Sequence, residues 1–239
     1  GAEIIDINMG CPAKKVTNGL SGSGLLRDLD HALTLIEAVV AAVDVPVTLK
    51  TRLGWDDCRR TAPELARRAQ AAGVRMVTLH GRTRCQFYKG SADWSAIAEV
   101  VAAVSIPVIA NGDIVGPDSA RRARAQSGAA GVMVGRGVQG APWRLAEIAH
   151  AVHGAPAPDV PRGAALADMV AAHYEAMLDF YGRDLGLRVA RKHLAWYMDG
   201  ADTPPDLRRP VLTATEPATV LSLLPDALAA PHRAERCAA

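Results

Sequence analysis

A cysteine followed by a proline, Cys11-Pro12, stands just after the apolar run EIIDIN (3–8), inside the segment NMGCPAKKVTNGLSGSGLL (8–26). A thiol at that point has two chemical uses. As a nucleophile it needs a pKa lowered by an imidazolium or a helix terminus; no histidine is near in sequence, although His80 could approach in space. As a general acid it needs only its proton, which a thiol of ordinary pKa, about 8.5, keeps at neutral pH. The residues leave both roles open. The glycines that follow, with Ser21 to Gly24, read as a mobile flap beside the thiol.

Four more apolar runs close on, or just before, a group of chemical use. VPVTLK (45–50) ends on Lys50, with Arg52 beyond; VRMVTLH (74–80) ends on His80, with Arg82 beyond; IPVIAN (106–111) ends on Asn111, with Asp113 beyond; AGVMVG (130–135) precedes Arg136. A lysine ending an apolar strand is costly without an anionic partner, which is either a neighbouring acid or a ligand. His80 is either a hydrogen-bonded rim histidine or a working member of the same set. In NGDI (111–114) and VGRG (134–137), Gly112, Gly135 and Gly137 let backbone N–H groups approach a phosphate closely. Each alone is only a turn signal; on consecutive strands they point to a phosphate site.

The elements that must hold these groups alternate. Short β-rich runs are separated by helical patterns, such as Leu33, Ile36, Val40 and Val43 behind a candidate N-cap at Asp30, or Ile97, Val100, Val101 and Val104 behind Trp94. Repeated βα units imply a parallel sheet, either open or closed as a barrel. Chemically capable groups at every strand's C-terminal end favour the barrel, whose strands all finish on one rim. The expected fold class is therefore α/β: a (β/α)8 TIM barrel lacking about its first three βα units, followed by a small all-helical domain. The expected boundaries are 1–152 for the partial barrel, 153–163 for a Pro/Gly-rich linker, and 164–239 for the helical domain, with a break at Pro204-Pro205.

Composition narrows the class. The 239 residues are 49% hydrophobic, which suits one or two globular domains. No apolar run is long enough for a membrane span, and the opening GAEIIDIN has neither the basic start nor the apolar region of a signal. Cys11, Cys58, Cys85 and Cys237 are spaced like neither a metal site nor a disulfide framework, which suits a reducing cytoplasm without a bound metal. A net charge of +2 says little about polyanions, so local clusters decide. Arg188, Arg191, Lys192 and His193 share a helix face and lead into Trp196 and Tyr197, a pattern that fits RNA phosphates beside an aromatic platform or a buried anchor. Arg59, Arg60, Arg67, Arg68, Arg121, Arg122 and Arg124 read as surface charge.

Six segments in this order, NMGCP, VTLKTRLGW, HGRTRCQFYKGSADW, ANGDI, VGRGVQGAPW and RKHLAWY, resemble the tRNA-dihydrouridine synthases. The similarity is greatest to the bacterial branch once described as nitrogen-regulation-like, and it covers residues 1 to about 200. The resemblance implies an FMN-containing TIM barrel with a C-terminal helical domain that reduces the C5–C6 bond of uridines in tRNA, with NADPH as reductant. It assigns Cys11 as the acid that protonates C5, and Asn8 and Arg82 to the substrate side. Lys50 and His80 fall to the isoalloxazine; Asn111, Gly112, Asp113, Gly135 and Arg136 fall to the flavin phosphate and ribose; Arg191, Lys192 and His193 fall to the tRNA. The enzyme so implied is cytoplasmic and monomeric. Two departures stand out. The family's Pro-Met flavin segment and a flavin-contacting Gln are not in the chain, so poor FMN retention is expected, and Gly24 stands where relatives carry a larger residue, which is expected to loosen the flap. The competing expectations are an oxidoreductase of a free pyrimidine, for which residues 160–239 would be dispensable, and an RNA-binding fragment without flavin.

Overall fold

The apolar runs form five short strands: β1 (Ile5–Asn8), β2 (Val47–Arg52), β3 (Met76–His80), β4 (Val108–Asn111) and β5 (Gly131–Met133). The structure is a computed structural model and describes residues 1–229. All neighbouring strands are parallel, in the order β1-β2-β3-β4-β5. Parallel neighbours need crossover connections. These contain α1 (Lys14–Thr17) and α2 (Leu29–Ala42) before β2, α3 (Ala62–Ala71) before β3, α4 (Ile97–Ala103) before β4 and α5 (Pro117–Ser127) before β5. The order never reverses, whereas an open doubly wound sheet changes direction at a switch point.

Burial separates the middle of the sheet from its sides. β2, β3 and β4 are buried at nearly every position, while β1 alternates between half-buried and exposed residues and β5 is buried only at Gly131. Val47, Leu49, Val77, Leu79, Val108 and Ala110 pack in one core with Ile36, Leu65, Ile97 and Val100 of the helices. The cap of α2 is Asp28 rather than Asp30. Asp28 has the extended backbone a capping residue requires, and its carboxylate accepts the His31 N–H at 3.0 Å. Asp30 lies within the first turn and pairs instead with Arg68 at 2.6 Å.

The chain divides into two compact units, the first spanning Gly1–Gly135 and the second beginning at Arg136. The described elements of the second unit are helices: α6 (Arg144–His153), α7 (Gly163–Tyr181), α8 (Arg183–Gly200), α9 (Pro205–Thr213) and α10 (Pro217–Leu228), besides a short 3-10 turn at Arg136–Val138. Residues 154–162 form neither helix nor strand. Leu166, Val170, Tyr174 and Met177 of α7 recur at helical spacing and share a core with Ala190, Leu194, Tyr197 and Met198 of α8 and with Val220 and Leu224 of α10. The expected break at Pro204-Pro205 falls between helices, with Pro204 capping α9 and Pro205 at its first position, where a missing N–H costs no bond. Beyond it the tail forms α9 and α10 in spite of Pro210 and Pro225. Cys237 and the end of the expected helical tail lie outside the described residues.

Candidate active site

Parallel strands of one sheet finish on the same side, so the register decides which side chains become neighbours. Asn8 lies opposite Lys50, Arg52 opposite His80, and His80 opposite Asn111. β2 runs two residues past its expected end at Lys50, which brings Arg52 into this row. At 2% exposure Arg52 is among the most buried side chains of the molecule.

The Cys11 loop is held by three successive carbonyls. The Thr51 hydroxyl donates to Met9 O at 3.2 Å, Arg52 Nε donates to Gly10 O at 2.9 Å, and Ser23 donates to Cys11 O through both its N–H (3.1 Å) and its hydroxyl (2.8 Å). The Gly10 N–H donates to Asn8 Oδ1 at 3.0 Å, so the Asn8 amide oxygen belongs to the loop and its NH2 is the group left for a ligand. The Cys11 side chain is half-buried as a free thiol. Beyond the exposed Ser21, the segment to Gly24 is not an open flap. Residues 22–27 form a 3-10 helix in which Gly22 to Leu26 are buried. A Cβ at Gly24 would stand 2.9 Å from Thr17 O, so the small residue permits close packing rather than loosening the segment.

Two side-chain chains cross the rim. In the first, Lys50 Nζ donates to Asn111 Oδ1 at 3.3 Å and Asn111 Nδ2 donates to Met133 O at 2.9 Å, tying β2 through β4 to β5. Burial, and then the Arg52 charge, lower the Lys50 pKa, against a smaller opposing pull from Asp6. Among the described residues no carboxylate pairs with Lys50, whose hydrogen bond goes to the Asn111 amide instead. In the second chain Arg82, 2% exposed, forms a two-pronged ion pair with Asp113 at 2.9 and 2.6 Å and contacts His80 Nε2 at 3.3 Å. Burial and the surrounding cations Arg52, Lys50 and Arg82 push the His80 pKa down to about 3, so the ring is neutral at physiological pH. Burial alone would raise the Asp113 carboxyl, yet hydrogen bonds from Arg82 and the Ala92 N–H hold it below its ordinary value.

Gly112 makes the second chain possible. Its φ of +110° lies where side chains are strained, and a Cβ there would sit 3.1 Å from His80 Nε2 and 2.9 Å from the Ala92 Cβ. The rim thus gathers Asn8, Cys11, Lys50, His80, Asn111, Gly112 and Asp113, with Gly135 exposed at the end of the first unit. Arg136 is exposed in the short 3-10 turn that opens the second unit. On α8, Arg191 and Lys192 are exposed, whereas His193 is half-buried, its ring edge-on to His173 (5.2 Å) and Trp196 (5.1 Å). Of the two aromatics that follow, Tyr197 is the buried anchor, its hydroxyl 3.0 Å from His173 Nδ1.

Some members of the site have no assignment from sequence. Besides Gly10 O, Arg52 donates to Thr83 O (3.0 Å) and Phe87 O (2.8 Å), so it joins the Cys11 loop to the loop after β3. Arg27 and Arg84 both stand over the Trp55 ring, at 4.4 and 4.6 Å, and both bond Thr17 behind the loop. A cation closing an apolar run is the available signal for Arg52, as it is for Lys50. Nothing local marks Ser23 or Arg27.

The family model described as dihydrouridine synthase matches residues 1–231. The chain belongs to this family. A probable tRNA-dihydrouridine synthase of Rhodobacter capsulatus is 66% identical over 94% of this chain and 68% of its own length. One from Rhizobium leguminosarum bv. phaseoli is 52% identical over 93% and 66%. A tRNA-dihydrouridine synthase B of Xanthomonas campestris pv. campestris is 47% identical over 95% and 68%. The chain therefore spans about two thirds of the length of these dihydrouridine synthases. Among the described residues no helix is long and apolar enough to cross a membrane.

Proposed function

We propose that this chain carries the reacting face of an FMN-dependent enzyme that reduces uridine to 5,6-dihydrouridine in tRNA in the cytoplasm. The observation that carries the reading is the rim itself: a half-buried lysine with no carboxylate partner among the described residues and a neutral histidine, on the same strand ends as a thiol whose loop is fixed by its backbone. In this reading the five strands are consecutive members of a (β/α)8 barrel. The unreversed parallel order and the half-exposed flanking strands β1 and β5 support that.

The residues present suit a flavin. Lys50 would place a cation, and His80 a donor, beside an isoalloxazine whose reduced form is anionic. Asn111, Gly112, Asp113, Gly135 and Arg136 would make up the ribose and phosphate site, with the Asn111 and Asp113 side chains framing it while bonded to Met133 O and Arg82. The chemistry that FMN would supply there, once reduced by NADPH, is hydride for C6 of the uracil.

The rest is work for the chain's own groups. Asn8 offers its amide NH2 to a uracil carbonyl while its oxygen secures the loop. Cys11 gives its Sγ proton to C5, and the clamped carbonyls of residues 9 to 11 hold the backbone that carries it. Arg191 and Lys192, with His193 beside them on α8, would meet tRNA phosphates.

The test is an assay of dihydrouridine in tRNA with the chain joined to an N-terminal barrel segment. A Cys11→Ala variant is expected to lose about 10²–10⁴-fold in rate, the usual share of a positioned acid, with unchanged flavin absorbance. Full activity in that variant would remove Cys11 from the mechanism.

A further inference from the structure

A guanidinium has five N–H bonds and no lone pair, so a nitrogen that hydrogen-bonds to it must be an acceptor. The Arg82 bonds can be followed one by one. Nε donates to Lys89 O at 3.1 Å; Nη2 donates to Gly90 O at 2.7 Å and Asp113 Oδ2 at 2.6 Å; Nη1 donates to Asp113 Oδ1 at 2.9 Å and faces His80 Nε2 at 3.3 Å. The fifth N–H therefore points at the imidazole, and none is left for a uridine or a phosphate. A hydrogen on Nε2 would set two donors against each other inside a buried site, which costs far more than moving the proton across the ring.

We propose that Arg82, clamped by Asp113, is a positioning residue that fixes His80 as the neutral tautomer protonated on Nδ1. Gly112 gives the ring its place, since a Cβ there would press on Nε2. Lys50, Arg52 and Arg82 face the ring from β2 and the loop after β3, with Asp113 the opposing charge and Tyr88 edge-on at 6.4 Å. Among the described residues Nδ1 has no hydrogen-bond partner, so its N–H is a fixed donor for a ligand acceptor on the rim. The inference rests on the flavin reading only for the identity of that acceptor, a carbonyl or ring nitrogen of the isoalloxazine. It changes the part played by Arg82 from substrate contact to control of a neighbour's proton.

The experiment is nitrogen NMR on the full chain labelled with 15N-histidine, the His80 signals being identified by their loss in His80→Asn. The expected spectrum shows an Nδ1–H imidazole in excess by about tenfold or more, the ratio that one charge-assisted hydrogen bond sustains, unchanged between about pH 6 and 8. An Nε2–H pattern, an even mixture, or a protonation midpoint near 6.5 would overturn the proposal. Asp113→Asn, which keeps a side-chain oxygen but loses the charge, should lower the tautomer ratio, and Arg82→Lys should bring it near unity. An unchanged ratio in folded Arg82→Lys also overturns it, because a purely structural arginine would leave the proton where it was. Should Arg82→Lys not fold, the wild-type and Asp113→Asn spectra decide. The flavin reading fails separately: absence of flavin absorbance in the chain joined to its barrel segment would sink that reading, whatever tautomer the chain alone displays.

Discussion

The cations at the strand ends of the first unit and those on α8 of the second have the same chemistry and opposite circumstances. Arg52 and Arg82 are buried and bonded to named carbonyls and a carboxylate; Arg188, Arg191 and Lys192 are exposed. A buried cation with every N–H assigned fixes the geometry of its neighbours and is costly to remove. An exposed one acts at range, is screened by salt, and contributes little to folding. The same residue types thus serve orientation in the first unit and, under the proposed function, would serve attraction in the second.

That contrast breaks first, if it is wrong, at Arg82. Arg82→Ala leaves the Asp113 carboxylate and the carbonyls of Lys89 and Gly90 without their donor, so a loss of about 3–5 kcal/mol is expected in urea unfolding. A loss below about 1 kcal/mol, the range of exposed pairs, would put Arg82 in the same class as the α8 cations. Arg52→Met should follow at roughly 2–4 kcal/mol, since three backbone carbonyls lose a charged donor while the aliphatic stem is replaced.

More diagnostic is the acid response of His80. Its folded pKa of about 3 lies below the unfolded value of 6.5, so between them the unfolded chain binds a proton that the folded chain refuses. The stability is whole above about pH 6.5 and falls as the pH drops toward 3, by at most about 1.4 kcal/mol per pH unit. His80→Asn should flatten that part of the curve. Stability that stays level in the wild type from about pH 6 to 4.5 would show a histidine open to solvent.

The smallest effect on folding is expected on α8. Replacing Arg188, Arg191 and Lys192 by Gln should leave stability within about 0.5 kcal/mol. In tRNA binding the same change should weaken affinity and reduce the salt slope by about 0.7–0.9 for each phosphate that is no longer neutralised. A salt slope equal to that of the wild type would remove this face from RNA recognition.

The strands are legible in the sequence because parallel strands buried on both faces read as continuous apolar runs, and Lys50 and His80 because ionisable groups are conspicuous where such runs end. The part played by Arg82 is not legible there: three of its five bonds go to Asp113, 31 residues away, and to His80, and the other two to backbone carbonyls, which no side-chain pattern announces. Ser21 to Gly24 mislead for a related reason. Glycine and serine signal a flexible loop, but here they are the sizes that fit beneath Thr17 and against Cys11 O. Residue type alone points to Asp30 as the cap of α2, whereas the backbone turns helical at Leu29 and leaves the capping conformation to Asp28.

The loop around Cys11 has a practical side as well. Because the carbonyls of Met9, Gly10 and Cys11 are each held by a different side chain, the loop's path owes nothing to the sulfur. Position 11 is a socket. A serine or alanine placed in it inherits the address of the cysteine, so differences among such variants report the atom at the end of the side chain, not a displaced loop.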